Sequence, residues 1–307
     1  METIKAVVGL IKSSDDRFLI SKRRQGKFMS GYWELPGGKI NTSETAENAI
    51  KRELKEELGI KVIVLHFVRS ITHKYPDRNV DLSYFLIDSF EGSPFGAENQ
   101  QIDWASITSL GAYRLLPSVK EVIYSLTLPS MYWITPSIGH YSDEWVNEFD
   151  NKLAQGIKLI QLRAKNILDE RFIKSLYIKC NNNNARLLLN TINKTYEENY
   201  ADGWHITTQE MLSMGTRPCG SEKIIGASTH NLTEALKAVE LNIDFIVISP
   251  VQATKTHPEA HPLGWQAAKD VVDKVNTPVY FLGGMGVKDL EKTIKFGAQG
   301  IAGVSAF

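Results

Sequence analysis

Three glutamates, Glu53, Glu56 and Glu57, fall at i, i+3 and i+4 within residues 37–60, GGKINTSETAENAIKRELKEELGI. Ala46, Ala49, Ile50, Leu54 and Leu58 recur there at helical spacing and make one apolar stripe. At about 100° per residue, Glu53 and Glu57 lie inside that stripe and Glu56 at its edge. A carboxylate on a core-facing arc is costly unless it is paired or binds a metal, and carboxylates this close repel one another. A hard cation with oxygen ligands relieves both costs, and Mg²⁺ held by carboxylates together with substrate phosphates is the usual solution. Arg52 can pair with one carboxylate and fix its direction. The bland alternative is a solvated Glu/Lys face, which Lys51 and Lys55 fit.

The helix that must carry these groups is bracketed in the sequence. Gly37-Gly38 reads as a turn, Thr42 or Ser43 as an N-cap, and Gly59 as the residue just past the helix end. Before it come a strand over residues 4–11, a turn at Ser13-Ser14-Asp15-Asp16 and a return strand over 17–21. The basic run Lys22-Arg23-Arg24 is either solvated surface or a phosphate contact. After the helix, residues 62–70, 80–87 and 102–104 read as strands and 118–126 as a closing helix. Glu98 lies in a loop over 91–101. The expectation for this half is a mixed sheet with one functional and one terminal helix, an α/β/α sandwich.

From Gly38 the residues read G-x5-E-x7-R-E-U-x-E-E-x-G-U, with U apolar, and Gly38, Glu44, Arg52, Glu53, Leu54, Glu56, Glu57, Gly59 and Ile60 fill every fixed place. This resembles the signature of the Nudix hydrolases. Across residues 1–128 the chain is similar to their MutT type, the 8-oxo-dGTP diphosphatases. Residues 31–39, Tyr75-Pro76-Asp77-Arg78, Glu91-Gly92-x-Pro94 and Trp104 carry that likeness. The resemblance implies Mg²⁺, with Mn²⁺ as an alternative, and cleavage of a nucleoside triphosphate between the α and β phosphorus. It implies metal ligands at Glu53, Glu56, Glu57, Glu98 and the Gly38 carbonyl, with Glu53 or Glu98 taking a proton from water. It further implies substrate contacts at Arg23, Phe28, Glu34, Leu35, Arg78 and Val119. Two places depart from the family: no Asn stands near Ser118-Val119, where the family reads the oxidised base, and Phe28 replaces a histidine. Polar readout discriminates far more strongly than apolar fit, so these departures bear on base selectivity rather than on hydrolysis.

The 307 residues are enough for two domains. Net charge is zero, which gives no global field for holding DNA or RNA. Cys180 and Cys219 are the only cysteines and read as free thiols of a reducing compartment. No stretch approaches a membrane span of about 20 apolar residues, and residues 1–16 do not read as a signal peptide. A cytoplasmic protein is the expectation.

After a turn-like joint at residues 127–130 the rhythm changes. Short apolar runs at 132–135, 157–162, 185–189, 203–206, 224–227, 245–248, 279–282 and 300–304 alternate with helical segments such as 143–154, 232–241, 264–275 and 287–296. That order predicts a parallel sheet closed as a (β/α)₈ TIM barrel over residues 131–307. Polar groups follow the strand ends, where such barrels do chemistry. They include Gln161, Arg163, Lys165, Asn190, His205, Ser228, His230, Lys255, Gly284 and Ser305. The runs Q-L-R-x-K, G-A-S-T-H, T-K at 254–255 and G-G at 283–284 resemble the thiamine-phosphate synthase and TenI family. That likeness implies a pyrophosphate held by Arg163, Lys165 and Lys255 beside Asn190, and a thiazole phosphate held by Gly284 and Ser305. It implies an acid/base role for His230 in a TenI-like tautomerisation. The family's Mg²⁺-binding aspartates are here Thr191 and Met211, and Thr207 replaces a glycine. Without acidic ligands a Mg²⁺-pyrophosphate is poorly held, which argues against synthase activity.

Three readings of the whole chain are open. In one, the first half is a nucleotide-pool sanitising diphosphatase. In another, it acts on a thiamine-pathway pyrophosphate such as hydroxymethylpyrimidine pyrophosphate, and the barrel binds or processes a thiamine precursor. In the third, the barrel is a binding module that senses a thiamine precursor and regulates the hydrolase.

Overall fold

The computed structural model describes residues 3–74, 79–137, 142–163, 169–190, 200–219, 223–254 and 259–307. Spatial contacts divide the chain into Met1–Ile123 and Tyr124–Phe307.

The first unit runs β1 (Thr3–Ile11), β2 (Phe18–Lys22), β3 (Trp33–Glu34), β4 (Gly37–Lys39), α1 (Ala46–Leu58), β5 (Lys61–Lys74), β6 (Asn79–Glu91) and β7 (Ile102–Ala105). A 3₁₀ helix, Ile107–Ala112, and the start of α2 (Pro117–Thr127) complete it. The expected mixed sheet is present as β4-β1-β6-β5, with β1 and β6 parallel and the outer pairs antiparallel. A second, antiparallel sheet, β3-β2-β7, stands beside it. The Gly37-Gly38 turn is instead a strand: β4 pairs with Val7 and Val8 of β1. Gly37 has φ +150°, and a Cβ there would strike the Val7 carbonyl oxygen, so only glycine lets the two backbones meet.

The α1 N-cap is Thr45, whose side chain accepts the Asn48 N–H at 3.2 Å, rather than Thr42 or Ser43. Ser43 is drawn into a turn with φ +65°, where Glu44 N–H reaches the Asn41 carbonyl. Gly59 ends the helix in the left-handed region, φ +69°. Ala49, Ile50, Leu54 and Leu58 are fully buried against Val7, Ile11, Leu19, Phe85 and Ile87. Each large aliphatic side chain there contributes roughly 1.5–3 kcal/mol. That packing fixes the rotation of α1 and hence where Glu53, Glu56 and Glu57 point.

The second unit is a closed barrel of parallel strands: β8 (Met131–Ile134), β9 (Leu159–Leu162), β10 (Arg186–Leu189), β11 (Gly203–Ile206), β12 (Ile224–Thr229), β13 (Phe245–Ile248), β14 (Val279–Phe281) and β15 (Gly300–Gly303), which returns to β8. Helices α3 (Asp143–Ala154), α4 (Glu170–Asn182), α5 (Thr208–Ser213), α6 (Leu232–Glu240), α7 (Gly264–Val272) and α8 (Leu290–Lys295) lie between successive strands, except that among the described residues none lies between β10 and β11. The expected segment 287–296 is a 3₁₀ turn, Val287–Asp289, leading into α8. Apolar helix faces cover outward strand residues such as Trp133, Ile160, Leu187 and Ile246.

The barrel interior holds an aromatic and polar core. The rings of Tyr132, Phe245 and Tyr280 meet at centroid distances of 5.2–5.6 Å. Tyr132 Oη lies 3.0 Å from His205 Nδ1 and 3.3 Å from Gln161 Oε1, and His205 Nε2 lies 2.9 Å from Ser228 Oγ. Burial holds the imidazole neutral by pushing its pKa down to about 3. Elsewhere Asp244, 4% exposed, accepts the Ile225 N–H at 2.7 Å and pairs with Arg217 at 2.5 Å.

Two predictions follow from these buried groups. Removing one partner of a buried pair strands the other, so Asp244→Ala is expected to lower barrel stability by about 3–5 kcal/mol in urea unfolding. A histidine with a depressed folded pKa stabilises above its unfolded value near 6.5 and loses that contribution as pH falls. Between pH 6 and 4 the native chain is therefore expected to lose about 1.4 kcal/mol per pH unit more than His205→Gln. Parallel acid-unfolding curves would show that the buried imidazole is already charged.

Candidate active site

A cavity of about 580 Å³ opens in the first unit between β1, β4, α1, β6 and the start of α2. Its lining includes Arg23, Phe28, Glu34, Leu35, Gly38, Glu53, Glu57, Glu98 and Val119, so most of the site residues expected in this half meet in one place. Its charged lining residues are Arg23, Lys27, Lys39, Glu34, Glu53, Glu57 and Glu98. Its apolar lining includes Ile4, Ala6, Val80, Leu82, Leu116 and Val119, and Tyr84 and Ser118 add hydroxyl groups. Arg78 lies outside the described residues. Glu56 does not line the cavity; it sits on the exposed side of α1, as its edge position implies.

Glu57 is 7% exposed. Its Oε2 accepts the Gly37 N–H at 3.1 Å, and Lys27 Nζ stands 3.9 Å from Oε1. Burial raises its pKa to about 7; the Gly37 hydrogen bond opposes the shift, while the negative charges of Glu34 and Glu53 add to it. Glu34 is also raised, mainly by burial, and Arg23 answers it with a short ion pair. Arg23 Nε additionally donates to the Phe28 carbonyl at 2.8 Å. Gly38 lies against Glu53 so closely that a Cβ would collide with its carboxylate.

Arg52 does more than pair with one acid. Its guanidinium reaches Glu53 at 2.8 Å, Glu56 at 3.0 Å, Glu44 at 2.9 Å and the Lys39 carbonyl at 3.0 Å. Arg24 Nη2 pairs with Glu98 at 2.6 Å. Arg23 and Arg24 thus face carboxylates, a role their sequence did not disclose, whereas Lys22 Nζ donates to Gln101 Oε1 at 3.2 Å. Among the described residues, no three acidic, histidine or cysteine side chains converge closely enough to hold a metal as they stand. Protein cations take the oxygens that a metal would take. The donor set nonetheless fits a hard divalent cation: all ligand atoms are oxygens, and one carboxylate is too buried to carry its charge readily. Glu53, Glu57, Glu98 and the Gly38 backbone are the groups on hand.

In the barrel, Gln161, His205 and Ser228 belong to the interior network described above. Arg163 N–H donates to Thr135 Oγ1 at 2.9 Å just past β9. Asn190 follows β10 and is half-buried. His230 follows β12 and is exposed; its Nδ1 lies 2.7 Å from the Ser249 carbonyl oxygen, leaving Nε2 as its other polar atom. Gly284 has φ +64° and would clash with the Ala253 carbonyl if it bore a side chain. Ser305 is exposed beyond β15. Lys165, Thr191 and Lys255 lie outside the described residues. Met211 is fully buried in α5, and Thr207 caps that helix in a reciprocal bond with Glu210. Where an acidic ligand would be needed, the chain has built hydrophobic core.

Two family models match this chain. Thiamine monophosphate synthase matches residues 131–307 and the NUDIX domain residues 7–125. The 8-oxo-dGTP diphosphatase of Escherichia coli is 34% identical, covering 41% of this chain and 98% of that protein. A candidate thiamine-phosphate synthase of Aquifex aeolicus is 34% identical, covering 59% of this chain and 99% of that protein. A solved structure from work on MutT of Aliivibrio salmonicida and Vibrio cholerae is 36% identical and covers 40% of this chain and 98% of its own, at a TM-score of 0.35. The chain therefore belongs to the Nudix hydrolases, enzymes that act on phosphoanhydride bonds, through its first half, and to the thiamine monophosphate synthase family through its second.

Proposed function

We propose that the Nudix unit cleaves a nucleoside triphosphate between the α and β phosphorus, with an oxidised purine nucleotide such as 8-oxo-dGTP as its substrate and Mg²⁺ as its metal. The observation that carries this reading is a single cavity lined both by Glu53, Glu57, Glu98 and Lys27, groups suited to a metal-bound polyphosphate, and by apolar residues suited to a flat base. Relatives named 8-oxo-dGTP diphosphatase support the substrate class.

Glu53, Glu56, Glu57, Glu98 and the Gly38 carbonyl would hold the metal, whose chemistry is to neutralise phosphate oxygens and acidify water. Glu56 would have to turn inward from its exposed bond with Arg52. Glu53 or Glu98 would accept the proton of the attacking water. Arg52 holds Glu53 in direction, and Lys27 supplies positive charge near the leaving pyrophosphate. Leu35, Phe28 and Val119 would face the base.

A second reading is favoured by the barrel. A chain with a thiamine monophosphate synthase family domain has reason to meet pyrimidine pyrophosphates, and the apolar lining of the cavity would also accept a methylated pyrimidine. The barrel would then bind a thiamine precursor, with Arg163, Lys165, Asn190 and Lys255 toward a pyrophosphate and Gly284 and Ser305 toward a phosphate. His230 is the acid/base candidate.

Glu57→Gln removes a charge but keeps shape and the acceptor for the Gly37 N–H, so the fold should persist. Turnover of 8-oxo-dGTP with Mg²⁺ is expected to fall by at least about 100-fold. Undiminished turnover would displace the site. In a competition between 8-oxo-dGTP and hydroxymethylpyrimidine pyrophosphate, with the two monophosphate products separated by chromatography, the oxidised nucleotide is expected to win on kcat/KM. A clear preference for the pyrimidine would favour the second reading.

A further inference from the structure

One side chain outside the proposed chemistry joins the end of α1 to the acidic loop. Gln100 Nε2 donates to the Glu57 carbonyl at 2.7 Å, and its Oε1 accepts the Glu98 N–H at 2.9 Å. The Ala97 N–H reaches the same Glu57 carbonyl at 3.0 Å, and the Phe95 N–H reaches the Leu58 carbonyl at 3.2 Å. Carbonyls in the last turn of a helix have no partner within it, and this loop uses two of them as its seat. The loop folds back tightly: a Cβ on Gly96 would strike the Gln100 carbonyl oxygen. One amide group therefore spans the backbones of Glu57 and Glu98, whose carboxylates line the same cavity.

Arg24 holds Glu98 from the other side, by its carboxylate at 2.6 Å and its carbonyl at 3.1 Å. The Arg24 and Glu98 side chains are 41% and 33% exposed. Ion pairs that open to solvent are worth little and exchange readily. The Gln100 link acts on backbone instead. The Glu98 carboxylate can leave Arg24 while the loop that carries it stays in place.

We propose that Gln100 is a positioning residue for hydrolysis. Its amide fixes the loop carboxylate of Glu98 against the helix carboxylates, so that both address the substrate's pyrophosphate at once. Gln100 itself touches no reacting atom. The inference rests on the reading of the Nudix unit given above. A displacement of about 1 Å at a catalytic group can cost on the order of 100-fold in rate, which is what such a clamp would prevent.

The test uses the full chain with 8-oxo-dGTP and Mg²⁺, in the native and Glu98→Gln backgrounds. Gln100→Met keeps the length and removes the amide; Gln100→Glu keeps the acceptor for the Glu98 N–H and removes the donor to the Glu57 carbonyl. Either change is expected to lower kcat by about 10–100-fold with KM and thermal midpoint unchanged. In the Glu98→Gln background the same changes are expected to cost little more, because the two residues act as a unit. Without any divalent ion, the Glu98 amide should exchange its hydrogen faster in Gln100→Met, with the α1 amides unaltered. Equal losses of kcat in both backgrounds, or unchanged kcat in a chain that Glu98→Gln cripples, would overturn the positioning role alone. Full activity of Glu98→Gln would overturn the role of Glu98 and this inference with it.

Discussion

The structure of the first unit depends on a concentration of like charge in a place with little water. Glu57 is buried, Glu34 and Glu53 stand near enough to raise its pKa further, and Glu98 enters the same cavity from a loop. Such an arrangement is unfavourable by itself. Arg52, Arg23, Arg24 and Lys27 each answer a carboxylate, which lets the unit fold with its acids in place. Most of these pairs are partly open to solvent, so they hold the acids without sealing them off. A divalent cation brought by a polyphosphate offers the same oxygens more charge in less space.

The surrounding scaffold exists to keep that concentration of charge rigid. The apolar stripe of α1 sets the rotation of the helix, and Gly37 and Gly38 let a strand pass close beneath it. The loop over residues 91–101 closes on the helix terminus through backbone hydrogen bonds. The barrel follows the opposite rule. Its interior histidine is kept neutral, Tyr132 and Tyr280 are buried, and a position where an acid could serve a metal is filled by Met211.

Much of this was legible in the sequence because the relevant signals are local. The period of Ala49, Ile50, Leu54 and Leu58 fixes a helix face, and spacing alone then assigns Glu53 and Glu57 to it and Glu56 to its edge. The barrel strands announce themselves as apolar runs too short for helices. What escaped was decided by partners distant in the chain. Gly37-Gly38 looks like a turn until Val7 and Val8 are found opposite it. The Thr45 cap is the local exception, taken because Ser43 is committed to a turn. Arg24 and Gln100 carry no motif of their own; only the fold brings them to Glu98 and Glu57. The second, antiparallel sheet likewise arises from pairing of β2 with β7, separated by some eighty residues.

The most direct measurement is anomalous scattering from a crystal of the chain soaked in Mn²⁺ with a non-hydrolysable nucleotide. A peak is expected within coordinating distance of Glu53 and Glu57, with the nucleotide's phosphates on its other side. A peak elsewhere, with those two carboxylates still bonded only to Arg52, Lys27 and the Gly37 N–H, would contradict the proposed metal site.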